Sequence, residues 1–268
     1  WLYARGVGRL RGTSRAVPGW RIACFSAGMA MLVIALVSPL AGISDELFWA
    51  HMLEHLFIGD IAALLLVLGL TGPLIAPVLR LPGMGVLRVL AHPVLAYLLW
   101  AGNLYAWHLP VFHEAAVRDD TVHALQHLLF LGLGMNMWMA LLGPLPKPAW
   151  FGNAARLGYI VAVRLTAGIL GNVFVFGGGA LYDVYRPGER AWDISAGADQ
   201  VAAGGIMMVE GSFVTLGLFC WLFLRAAKQT EERQELVEFA RAHGVELSDQ
   251  RAGRAVAAGR GQELRERI

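Results

Sequence analysis

The sequence predicts an all-α fold, a polytopic bundle of transmembrane helices with a charged helical tail. Two observations carry this expectation. Hydrophobic residues make up 57% of the 268 and charged residues only 16%, against about 25% charged in soluble domains. The apolar residues also form continuous runs near the ~20 residues that a helix needs to cross a bilayer. Unbroken runs, unlike an alternating pattern, describe helices and not barrel strands.

Residues 1–21 hold Arg5, Arg9, Arg11, Arg15 and Arg21 and no acid, the mark of a cytoplasmic membrane face. The chain begins with Trp1 and not Met, so an earlier span is expected outside it, seven in all. Within it six spans are expected, at about 22–42, 46–70, 92–109, 121–142, 157–178 and 199–225. Arg80 and Arg88, Lys147 and Arg156, and Arg225 and Lys228 lie in alternate connections, on the side of the arginine-rich start. Both ends of the chain are therefore expected in the cytoplasm, with the loops before spans two, four and six outside. Residues 1–225 form the expected bundle. Residues 226–268, rich in Glu, Arg, Gln and Ala, form a cytoplasmic tail with a helix near Glu231–Ala242 that stops at Gly244. Cys24 and Cys220 are far apart and make no CxxC motif.

Two spans carry the chemistry. Span two opens with His51-Met52-Leu53-Glu54-His55 and span four with His123-Ala124-Leu125-Gln126-His127. Four-residue spacing stacks both imidazoles of each pair on one helix face. The common direction of the two spans puts all four about 5–15 Å below the outer ends, at 1.5 Å per residue. Ionisable groups inside a membrane are costly and functional as a rule, and facing pairs are how helix bundles build metal sites. Imidazole suits copper, zinc, iron and nickel. His51, His55, His123 and His127 are the expected metal ligands. His108 at the outer end of span three and His113 just after it bring six of the eight histidines to one layer. His92, at the inner end, has no part in it, and His243 is a surface residue.

Supporting roles are expected for His108, Met52, Asp199 and Met207. Thioethers favour Cu(I), although Met is also ordinary packing material. Asp199 either orients a ligating imidazole or caps its own helix. Gly204, Gly205 and Gly211 allow close helix approach, and Glu210 needs a partner, for which Arg164 is the candidate.

An HMxxH span, a helix ending Trp107-His108-Leu109-Pro110, a second HxxxH, and a late span with Asp199-Gln200 and Gly204-Gly205-Ile206-Met207 occur here in this order. The set resembles the caa3-type cytochrome c oxidase assembly factors of the CtaG type, found in Gram-positive and related bacteria. The resemblance covers nearly all of residues 1–225. It implies a multi-pass protein of the bacterial plasma membrane, a non-enzymatic chaperone that holds copper near the outer face. It implies as partner the catalytic subunit of the oxidase, with no nucleic acid involved. The alternative is a membrane redox metalloprotein that uses the same histidines for haem or a di-iron site.

Overall fold

The computed structural model describes residues 1–257 and 259–268. Its secondary structure, among the described residues, is helical throughout. A short helix α1 (Leu2–Leu10) precedes the first long one, α2 (Gly19–Val37). Pro39 then opens α3 (Pro39–Ser44), with the Ser38 side chain accepting from the Leu40 N–H. The central helix α4 (Phe48–Gly69) is α-helical over Phe48–Leu56, passes through a π-helical turn at Phe57–Ala62, and resumes as α-helix from Ala63 to Gly69. Two short helices, α5 (Gly72–Leu79) and α6 (Val86–Leu90), lead to α7 (Pro93–Trp107), α8 (Pro110–Arg118) and α9 (Asp120–Leu141). After α10 (Asn153–Phe176) come a 3-10 turn at Asp183–Tyr185, α11 (Arg186–Ala191), and α12 (Ala196–Ala242). The chain closes with α13 (Asp249–Ala257) and α14 (Gly261–Arg265).

Five of these helices, α2, α4, α9, α10 and α12, are long and apolar enough to cross a membrane. The third expected span is α7, of 15 residues, or about 22 Å of helix. It is extended by His108 and Leu109 into α8, because Pro110 starts a new helix there. Large apolar side chains such as Val37, Leu165, Phe176, Phe213 and Leu224 face outward, while His51, Glu54, His55, Gln126, Asp199 and Gln200 are buried alongside an apolar core. An apolar exterior with ionisable groups kept inside is what a lipid solvent selects.

Helix α4 is at the centre, packed against α2, α9 and α12. Its contact with α9 is close because two glycines meet. A Cβ added at Gly134 would lie 2.0 Å from the Gly59 carbonyl oxygen, in the π turn. Of the three glycines expected to admit a neighbour in α12, two do so. A Cβ on Gly204 would strike the Gly171 carbonyl, and one on Gly211 would press on Arg164, whereas Gly205 has open space.

Helix α12 runs 47 residues without interruption, about 70 Å, and so continues past Arg225 as one rod. Its charged end carries a small separate core in which Leu236 packs with Ala252 and Val256 of α13. It stops at Ala242, and Gly244 follows with φ of +73°, the left-handed turn that glycine adopts freely after a helix.

Candidate metal centre

The histidines gather at one end of the bundle, where α4 and α9 both begin. The first turn of α4 has no capping side chain of its own, since Leu47 occupies that position. The Asp199 carboxylate supplies the cap from α12, accepting from the N–H groups of Phe48 and Trp49 at 2.8 Å each. Asp199 therefore neither orients an imidazole nor caps its own helix, whose cap is Ser195. It holds the helix that bears His51 and His55, and sequence reasoning had no means to see this contact across 150 residues. Helix α9 begins with its own cap, the Asp119 side chain accepting from Thr121 and Val122.

With both helices anchored, their histidines meet. The His51 and His55 ring centroids are 4.2 Å apart and those of His123 and His127 also 4.2 Å. Across the interface His51 stacks on His123 at 5.0 Å and His55 approaches His127 at 5.3 Å. Donor atoms within 4.8 Å of one another fall into two groups of three. One comprises His51, His55 and His123, and the other Glu54, His123 and His127. Glu54, the acid inside the first histidine pair, thus has a place in the cluster that its position between two histidines suggested but could not assign.

His51 is flanked on its other side by His113, at 4.7 Å. The segment 179–198 covers this end of the bundle and buries His113 completely. Gln200 pins that segment: its amide donates to the Phe174 and Gly179 carbonyls, and its oxygen accepts from the Leu181 N–H. Tyr185 then lies 2.9 Å from His113 Nε2, and the Tyr182 hydroxyl donates to the His108 carbonyl. His108 Nδ1 donates to the Leu104 carbonyl at 2.6 Å, which leaves a lone pair on its Nε2. Burial holds the His113 imidazole well below its ordinary range, with His108 adding to the effect, and pushes the Tyr185 hydroxyl well up, with Tyr182 adding to it. Burial also raises the Asp45 carboxyl, and the nearby His123, 3.9 Å away, works against it.

Met52, on the turn beside His51, is buried in the apolar core. Met207 packs against Gly171 of α10. His92 is beside Trp150 near the opposite end of the bundle, and His243 is exposed beyond α12. Deeper in the bundle Glu210 finds Arg164 at 3.8 Å, as expected, but the closer partner of Arg164 is Asp60 at 2.8 Å.

The donor set fits a transition metal. Both nitrogens of His51 and of His55, and Nε2 of His108, His123 and His127, are buried without a hydrogen-bond partner in the protein, as is Glu54 Oε2. Each unmade buried hydrogen bond costs roughly 1–3 kcal/mol, and a metal bond relieves that cost. Ligand atoms on a common tetrahedral ion at ~2.0–2.1 Å stand about 3.3–3.4 Å apart, within small side-chain adjustments of donors that lie within 4.8 Å of one another. The His51 and His123 rings stack nearly parallel, 10° apart, with no slot for a macrocycle between these two.

The chain is similar to an uncharacterised protein of Mycobacterium bovis and to one of Mycobacterium tuberculosis, each 27% identical over 223 residues, 76% of this chain and 33% of theirs. A Mycobacterium leprae protein, also uncharacterised, is 26% identical over 223 residues. The chain spans about a third of the length of these relatives. No solved structure matches it. The sequence model of the family described as cytochrome c oxidase caa3 assembly factor (Caa3_CtaG) matches residues 1–229. A helical membrane bundle with buried histidines at one end, matched by that family over most of its length, belongs to the caa3 cytochrome c oxidase assembly factor family.

Proposed function

We propose that this protein is a copper-handling assembly factor of the bacterial plasma membrane. It holds the ion on His51, His55, His123 and His127 and passes it to the catalytic subunit of the haem–copper oxidase. Six helices span the bilayer in this reading, α7 with the turn after it being the shortest. The arginine-rich start and the tail after residue 225 are cytoplasmic, and the histidine cluster is near the outer face. Copper is cargo here, not the centre of a turnover, and the protein needs no catalytic group.

The observation that carries the reading is the convergence of unsatisfied imidazole nitrogens from two helices in one buried cluster, in a chain of this family. A purely structural core would satisfy those nitrogens or replace the rings with apolar side chains. The redox alternative is weaker, since the stacked His51 and His123 rings leave no slot for haem between them and Glu54 is the one carboxylate in the donor groups, whereas a di-iron site calls for more carboxylates or more histidine motifs.

The test is copper content after loading the detergent-purified protein with Cu(I) under anaerobic conditions. His51→Ala combined with His127→Ala should abolish stoichiometric copper without loss of folded protein, and His92→Ala should leave copper unchanged. Full copper retention in the double variant would refute the site. Loss on changing His92 would invert the topology.

A further inference from the structure

We propose that the cluster is two alternative stations for one metal ion, with His123 the ligand common to both and Glu54 a ligand of the outer one. This rests on the metal-handling reading above.

The geometry separates the two stations. His51, His55 and His123 make an all-nitrogen group, and Glu54, His123 and His127 make a group of two nitrogens and a carboxylate oxygen. They share His123 and nothing else. Glu54 follows His51 by three residues, about 60° round the axis of α4, and it reaches His127, with Oε2 3.7 Å from Nε2. Two cations bound at once would compete for His123 and would repel each other across a few ångströms of low-dielectric protein. One ion per chain is the result.

The stations differ in access and in charge. His51 and His55 are sealed in the bundle, whereas the His123 and His127 side chains keep 15% of their surface exposed. Just outside them stands Asp45, largely exposed and 3.9 Å from His123 Nδ1. An arriving cation therefore meets Asp45 and His123 first, then the Glu54 carboxylate, which offsets part of its charge. Its next position is a neutral group of three imidazoles, donors that suit copper. Transfer breaks the bonds to Glu54 Oε2 and to His127 while bonds to His51 and His55 form. The bond to His123 persists, and neither the charge of the ion nor the proton count changes.

The experiment follows anaerobic Cu(I) uptake by chelator competition and stopped flow, together with the nitrogen hyperfine pattern of the Cu(II)-loaded form. The wild type should bind one copper. Glu54→Gln, which keeps the side-chain shape, should still bind one copper in the three-nitrogen group but load about tenfold or more slowly. His51→Ala with His55→Ala should also bind one copper, with fewer nitrogens coupled and faster release, and His123→Ala should lose both modes. Two coppers per wild-type chain, loss of all binding in Glu54→Gln, or full binding in His123→Ala would each overturn the two-station arrangement while leaving copper handling intact. A wild type that takes up no copper would overturn both readings.

Discussion

Replacing Asp199 by Ala tests how the site is positioned, independently of any metal. The carboxylate is buried and accepts two backbone N–H bonds at 2.8 Å, at the positive end of α4. Loss of a helix cap costs about 0.5–2 kcal/mol, and a hydrogen bond to a charged group about 1.5–3. Since the two overlap, Asp199→Ala should cost about 2–4 kcal/mol by leaving the Phe48 and Trp49 N–H groups buried and unpaired. At roughly 2–4 °C per kcal/mol for a chain of this size, the midpoint of thermal unfolding in detergent should fall by about 4–16 °C. Asp199→Asn keeps one acceptor oxygen and should lose about half as much. Because His51 follows Trp49 by two residues, fraying of this turn should also weaken copper binding, with His123 and His127 untouched. A change in stability below about 0.5 kcal/mol, the level of an inert surface substitution, would refute the capping role, as would equal losses in the Asn and Ala variants.

Further consequences can be checked on the same preparation. Gly134→Ala puts a methyl group 2.0 Å from the Gly59 carbonyl, where backbone faces backbone. It should cost about 1–3 kcal/mol by overpacking and separate α4 from α9, while Gly132→Ala, with open space at that point, should be silent in the same unfolding scan. Arg164→Leu leaves Asp60 and Glu210 without their cation, for a loss of about 3–5 kcal/mol. Adding Asp60→Asn and Glu210→Gln should restore the yield of folded protein, and failure of that rescue would mean Arg164 acts through more than these two acids.

What the sequence made legible was set by period, and what it hid was set by azimuth. Four-residue spacing is enough to stack His51 on His55 and His123 on His127, and positive-inside counting is enough to bring the two pairs to one depth, which is where their rings meet. The division of the donors into two groups depends on how far each helix is rotated about its axis, to which a linear pattern is blind. Asp199 illustrates the same limit: its position at the start of α12 was readable, but not that a different helix starts beside it. Met52 and Met207 were readable as thioethers on the histidine-bearing side of the bundle, and their burial in its core was not. Asp60, in the π turn, is the nearer partner of Arg164 at 2.8 Å, a pairing between two helices that a linear pattern does not carry.

That wide turn in α4 acts as a phase shifter. An α-helix advances 100° per residue, and the π geometry accommodates about one surplus residue over a turn. The histidine half of the helix is therefore indexed separately from the lower half, which packs on α2. Removing one residue between Phe57 and Ala62 would restore a uniform pitch and leave the two halves in their present phase. Forcing the existing residues into an unbroken α-helix would instead swing His51 and His55 about 100° around the axis, away from α9. The aim of the metal ligands is thus written in the pitch of the backbone as much as in the identity of its residues.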